Sequence, residues 1–133
     1  MTEQSLFIVK PDGVERKIVG QILTRFENKG FKIVKMKMFT FTREMAEDFY
    51  SAHKSKPFFG ELVSFITSDR VVAAIIEGNN AIATTRLMVG STKSFEASPG
   101  SIRGDFGLGI TDNIIHASDS KESFEKEVAV VFK

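Results

Sequence analysis

Asn113, His116, Ser118 and Glu127 are spaced in a way that could build a nucleophile. His116 ends the apolar pair Ile114-Ile115 and is followed at once by Ala117, Ser118, Asp119 and Ser120. Small neighbours leave open space at an imidazole ring. Ser118 and Glu127 could hold one ring nitrogen, freeing the other to attack. An imidazole is largely neutral at pH 7, which is the state a nucleophile needs. A strand end that happens to contain histidine would account for the same residues. The second histidine, His53, lies among Lys54 and Lys56 and reads as a surface residue.

Two arginines could serve such a nucleophile. Arg86 stands among Thr84, Thr85 and Leu87 on a largely uncharged helix, and Arg103 lies in the glycine-punctuated stretch SIRGDFG. Guanidinium forks match phosphate oxygens, and glycine lets the backbone approach them closely. Either arginine could equally be an ordinary solvated charge. Phe58 and Phe59 are adjacent, so they do not readily fill one core together. The outer ring could stack on a base. Each of the three prolines abuts such residues: Pro11 follows Lys10, Pro57 precedes Phe58, and Pro99 introduces Arg103. A G-x-x-x-x-G-K-[ST] loop is missing, and Gly107-x-Gly109 lacks the third glycine and the preceding strand of a dinucleotide fingerprint. A nucleotide site here must rely on side chains.

The elements that would position these residues follow from periodicity. Leu6 to Val9 reads as a buried strand that Pro11 terminates. Asp12, with Glu15 three residues on, could cap one helix carrying Val14, Ile18, Ile22 and Phe26 on its apolar face as far as Gly30. From Phe31 to Phe41 the period falls to two, as on a half-exposed strand. Thr42 could cap a second helix, and Pro57 opens a third with Leu62, Phe65 and Ile66 inward. Val71 to Ile76 is a central strand. Asn79 or Asn80 could cap the helix that ends at Gly90. Ser91 to Gly109 has no period, and a stretch of that length is more often functional than not. Ser120 to Glu127 reads as a polar helix and Val128 to Phe132 as a last strand. This order predicts an α+β fold, a ferredoxin-like sandwich with helices packed on a four-stranded antiparallel sheet.

Composition narrows the function classes. The 133 residues fit one domain spanning 1–133. With 18 basic and 17 acidic side chains, the net charge of +1 argues against a broad nucleic-acid footprint, though a local anion pocket is compatible with it. No cysteine is present, so thiolate metal sites and cysteine nucleophiles are excluded, and a reducing compartment fits. No apolar run approaches a membrane span, so the expectation is a soluble cytoplasmic protein.

The segment NIIHASDS resembles the active-site signature Asn-x-x-His-Gly/Ala-Ser-Asp of the nucleoside diphosphate kinases. FIVKPDGVERKIVGQI, FYSAHKSKPFFGELV and PGSIRGDFG resemble that family in the same order and spacing, so the likeness covers essentially the whole chain. It implies transfer of the γ-phosphoryl of a nucleoside triphosphate, typically ATP, to a nucleoside diphosphate through phosphohistidine. His116 would be the nucleophile, held by Glu127 and Ser118. Lys10, Tyr50, Arg86, Thr92 and Arg103 would surround the phosphates. Phe58 would stack on the base with Leu62 and Ile110 lining the same slot, and Asn113 and Lys10 would reach the sugar. No polar residue near that slot is evidently aimed at a base edge, so broad base tolerance is expected. The resemblance also implies Mg²⁺ held mainly by nucleotide phosphates, and a homo-oligomer, a hexamer before a tetramer.

Three departures from the family pattern stand out. Thr92-Lys93-Ser94 replaces a common Thr-Asn-Pro, Thr85 a glycine, and Ala52 an acidic residue. Proline at position 94 would restrict the unfolded chain, so Ser94→Pro is expected to raise resistance to urea. Two rival classes remain. A regulatory or scaffold module of the same fold would need a lost nucleophile or clamp, and a histidine phosphocarrier would leave Phe58 and the arginine pair unexplained.

Overall fold

The computed structural model describes residues 2–133. Its centre is β1 (Thr2–Val9), buried from Ser5 onward. Side chains alternate across a strand, so Phe7 and Val9 enter one core layer while Leu6 and Ile8 enter the other. An uninterrupted apolar run is what a strand covered on both faces requires. β3 (Val71–Asn79) pairs antiparallel with β1 along its length, and β2 (Lys32–Phe39) and β4 (Ile115–Ala117) flank that pair. All pairings are antiparallel, and the spatial order is β2-β3-β1-β4. This is the ferredoxin-like sheet that the sequence pattern predicts.

One face carries Ile22 and Phe26 of α2 (Val19–Lys29), Ala81 and Val89 of α5 (Ala81–Val89), and Ile102 of α6 (Ile102–Phe106). Phe7 and Phe26 stack there with centroids 4.3 Å apart. The other face carries Phe49 of α3 (Arg43–Phe49), Val63 and Ile66 of α4 (Phe59–Ile66), and Val131 of α7 (Lys121–Val131). Thr42 caps α3 by accepting from the Met45 N–H, as its type and position suggest. Gly30 ends α2 at φ 111°, a left-handed cap that glycine occupies without strain.

Four local expectations are corrected. The first helical stretch is two helices, α1 (Pro11–Glu15) and α2, separated at Lys17, whose φ is 61°. Lys10 is the N-cap of α1 and Pro11 takes the first turn, which leaves the Asp12 carboxylate free to bond elsewhere. Asn80 precedes α5 at φ 50° but makes no side-chain cap; Glu3 accepts from the Ile82 N–H at 2.9 Å instead. The terminal residues Val128–Phe132 do not form a strand. Ser120 caps α7 through the Ser123 N–H, and the apolar residues continue at helical spacing to Val131. The fourth strand is the histidine segment itself. Finally, β2 is more exposed than its alternation suggests: Val34, Met36 and Met38 of this outer strand all face solvent.

The region 91–109 contains a short 3₁₀ turn at Ser94–Glu96 and α6, which Ser101 caps through Gly104. Among the described residues, no helix is long and apolar enough to cross a membrane.

Candidate active site

His116 sits in the middle residue of β4, opposite Ile8 of β1. Three residues suffice for this strand because β1 supplies the register and the core clamps Ile115 and Ala117 on either side. The imidazole is therefore displayed from a rigid sheet edge. Its Nε2 lies 3.0 Å from Glu127 Oε1, and Ser118 Oγ donates to the same oxygen at 2.6 Å. Glu127 reaches the ring from α7, in the part of that helix that the sequence pattern predicts. Phe49 meets the ring edge-on at 5.0 Å. A carboxylate on Nε2 selects the tautomer protonated there and leaves Nδ1 with its lone pair, without a partner among the described residues.

Three buried polar side chains stand beside this histidine. Lys10 is displayed where β1 meets α1, and its Nζ donates to Asn113 Oδ1 at 2.7 Å and to the Thr111 carbonyl at 3.3 Å. Burial, with a smaller contribution from Arg103, lowers its pKa from the ordinary lysine range to about 7. Asn113 in turn donates to the Thr92 carbonyl. Arg103, on α6, donates to the carbonyls of Asn113, Gly90 and Ile115. Three of its five N–H groups are thus engaged with the main chain, a finding that differs from a fork left free for phosphate. Burial and then Arg86 pull its pKa down to about 10, so its charge persists at neutral pH. Arg86 donates to the Ala117 carbonyl from α5. Both guanidiniums therefore brace β4 and present positive charge beside His116. Tyr50, at the end of α3, is buried; desolvation and the charge of Glu127 raise its pKa, so its hydroxyl stays neutral.

The turn that delivers β4 is strained. Ile114 has φ 74°, a left-handed conformation that β-branched residues rarely adopt, at a cost of about 1–3 kcal/mol. Asp12 Oδ2 accepts from its N–H at 3.0 Å, and its carbonyl accepts from the Lys10 N–H at 2.7 Å. Gly13 lets α1 pack this closely: a Cβ there would lie 2.6 Å from Val9 Cγ1 and 3.2 Å from the Ile114 carbonyl oxygen. Burial raises the Asp12 pKa, while the Ile114 N–H acts the other way. Spacing suggested only a helix cap for Asp12; its partner is 102 residues away in the chain.

These groups line one cleft of about 660 Å³. Eleven of the twelve residues singled out from sequence border it. Ser118 stands behind, fully buried against Glu127. Phe58, Leu62 and Ile110 form the outer end, with Phe58 and Ile110 largely exposed. His53 is not a remote surface residue. It borders the cleft between the Tyr50 and Phe58 rings, three residues beyond Tyr50 on a helical turn. Its Nδ1 has no hydrogen-bond partner among the described residues. Asp119 and Ser123 also border the cleft; Ser123 donates to the Asp119 carboxylate, and this bond is the main cause of a pKa below the usual aspartate range. The spacing of Asp119 from His116 was the available signal. Two polar residues beside the outer slot were likewise missed: Thr111 donates to Glu61 Oε1 at 3.2 Å.

Fold and cleft together define a ferredoxin-like α+β protein built around one carboxylate-held histidine facing a cationic, aromatic-lipped groove. The family model described as Nucleoside diphosphate kinase matches residues 3–133. A nucleoside diphosphate kinase of Picrophilus torridus is 55% identical over 130 residues, which is 98% of this chain and 94% of that protein. The crystal structure of the Aquifex aeolicus nucleoside diphosphate kinase superposes with TM-score 0.96 at 46% identity, over 100% of this chain and 96% of its own. The halophilic enzyme from Halobacterium salinarum, solved in complex with CDP, superposes with TM-score 0.96 at 43% identity, covering 100% of this chain and 89% of its own. The chain belongs to the nucleoside diphosphate kinase family.

Proposed function

We propose that this chain moves the γ-phosphoryl of a nucleoside triphosphate, typically ATP, to a nucleoside diphosphate through phosphorylated His116. The observation that carries the reading is the Glu127 contact to Nε2, which leaves Nδ1 as the unengaged nitrogen of a side chain bordering the cleft. In the first half-reaction Nδ1 bonds to the γ-phosphorus as the bridging oxygen to the β-phosphate leaves with its electron pair. The charge on the imidazole is carried by the Nε2–H to Glu127 bond. The nucleoside diphosphate departs, a second one enters, and its terminal oxygen takes the phosphoryl by the reverse displacement. One site thus serves donor and acceptor in turn.

The other assignments follow from chemistry and placement. Lys10, Arg86 and Arg103 supply positive charge to the phosphates, with Thr92 and the neutral Tyr50 hydroxyl as polar partners. Asn113 and Lys10 face the sugar. Phe58, Leu62 and Ile110 take the base, whose π-face is common to all nucleotides, and this supports broad base tolerance. Asp119, ionised at the cleft wall, is the acidic residue fitted to face a cation arriving with the triphosphate. Bound Mg²⁺ would supply further neutralisation of phosphate charge. The scaffold alternative has no lost nucleophile or clamp to support it.

We further infer a homo-oligomer, a hexamer before a tetramer. The exposed apolar side chains of Leu87, Phe95 and Leu108, and those of Met36 and Met38 on β2, support association. The cysteine-free composition accords with a reducing cytoplasm.

Incubation with ATP and Mg²⁺, without a diphosphate, tests the reaction. The expected product carries one phosphoryl per active subunit, labile in acid, stable in base and discharged by added GDP. Initial rates should be ping-pong. An acid-stable label would overturn the phosphohistidine, and light scattering that gives a monomer at micromolar concentration would overturn the assembly.

A further inference from the structure

The outer slot is closed at one side by a polar pair that the stacking account leaves unused. Glu61 occupies the first turn of α4, three residues after Phe58 and one before Leu62, so it projects beside the same wall. Thr111 directly follows Ile110 on the opposite wall. The Thr111 hydroxyl donates to Glu61 Oε1 across a sequence separation of 50. This bond holds the carboxylate on the solvent-exposed side of the slot, while the Thr111 carbonyl accepts from the buried Lys10 Nζ and so ties the pair to the floor. The second oxygen, Oε2, has no hydrogen-bond partner among the described residues. The slot therefore ends in an oriented acceptor without a competing donor.

We propose that Glu61, oriented by Thr111, is a specificity-determining residue that favours nucleobases presenting amino or imino N–H groups on the edge remote from the sugar. The inference rests on the proposed phosphoryl transfer and deepens it. With the sugar on the floor and the base between Phe58 and Ile110, the remote edge of the base lies toward Glu61. Guanine presents N1–H and N2–H₂ side by side there, two donors matched to a carboxylate. Hypoxanthine has the same fused rings and N1–H but lacks the amino group. Uracil presents a single N3–H flanked by two carbonyl oxygens, whose lone pairs the carboxylate repels. Stacking tolerates all of these, and the carboxylate ranks them.

GDP and IDP separate edge reading from stacking, since they differ only in that amino group. With ATP as common donor, the wild type should use GDP with a kcat/KM about fivefold above IDP, the ratio one partly solvated charge-assisted hydrogen bond supports. The difference should reside in KM. Glu61→Gln keeps an acceptor for Thr111 but can turn an amide N–H₂ toward the base, so GDP should fall to parity with IDP or below it while UDP improves. Thr111→Val should lower the GDP preference in part by releasing the carboxylate. A wild-type ratio near one, or a Glu61→Gln ratio equal to that of the wild type, overturns the proposal. Equal losses for GDP and IDP do so as well, because they mark a structural tie between the walls. Label uptake from ATP is followed in the same samples. A wild type that takes no label overturns the transferase reading itself, and a labelled wild type with an unchanged ratio overturns only the role of Glu61.

Discussion

The two ends of the cleft are built on opposite plans. At the floor, Lys10, Arg103 and Asn113 are each no more than 5% exposed and are tied to the main chain or to one another. At the mouth, Phe58 is 41% and Ile110 50% exposed, and a hydrogen bond from Thr111 to Glu61 spans the walls. The contrast matches the work proposed for each end. Neutralising charge during phosphoryl transfer requires donors that do not reorganise as the reaction proceeds, so they must be locked in advance. Holding a base requires only a flat apolar surface, and looseness there admits bases of different size. The cost of locking falls on the floor, where Ile114 is held at a positive φ and Lys10 is deprived of solvent.

Breaking the floor should therefore matter most. His116→Ala removes the proposed nucleophile, and both labelling and transfer should fall by roughly 10⁴-fold or more in single-turnover assays. Arg103→Ala should slow both half-reactions by roughly 10²–10³-fold while leaving some labelling intact. It also strands the carbonyls of Gly90, Asn113 and Ile115, so urea unfolding should show a loss of about 2–4 kcal/mol.

Lys10 sharpens the comparison through pH. Its lowered pKa means that between about 7 and the unfolded value near 10.5 the unfolded chain binds the extra proton. Stability contributed by this group therefore rises with pH across that window and falls as pH drops toward 7. A polyphosphate in the cleft favours the charged form, so nucleotide binding at pH 8 should take up close to one proton. Calorimetry in buffers of different ionisation enthalpy measures this uptake, and Lys10→Met should abolish it.

The mouth should respond more mildly. Phe58→Ala should raise KM about tenfold for purine and pyrimidine diphosphates alike, with kcat little changed, as loss of one stacking surface implies. The smallest effect concerns Ser94, whose N–H donates to the Gly109 carbonyl at 3.0 Å and tethers the loop carrying Ile110. Proline has no N–H to give. Ser94→Pro should therefore lower the unfolding free energy by about 1 kcal/mol, and the urea midpoint with it, reversing the stabilisation that chain entropy alone suggests.

The legibility of the chain divides along a physical line. Periodicity and local chemistry were sufficient for β1, β3, the Thr42 cap, the Gly30 terminus and the ferredoxin-like class, because each depends on residues within a few positions. The motif around His116 marked the proposed nucleophile, and the sequence also named Ser118 and Glu127, whose hydrogen bonds converge on one side of its ring. Val128–Phe132 read as a strand because a β-branched run satisfies either period; the Ser120 cap and packing of Val131 on the second core face resolve it as helix. Long-range partners were beyond such reading. Asp12 bonds Ile114, Glu3 caps α5 and Thr111 meets Glu61 across separations of 50 to 102 residues. A side-chain acceptor is chemically the same whether it serves its own turn or a distant one, and only the folded sheet decides which donor arrives.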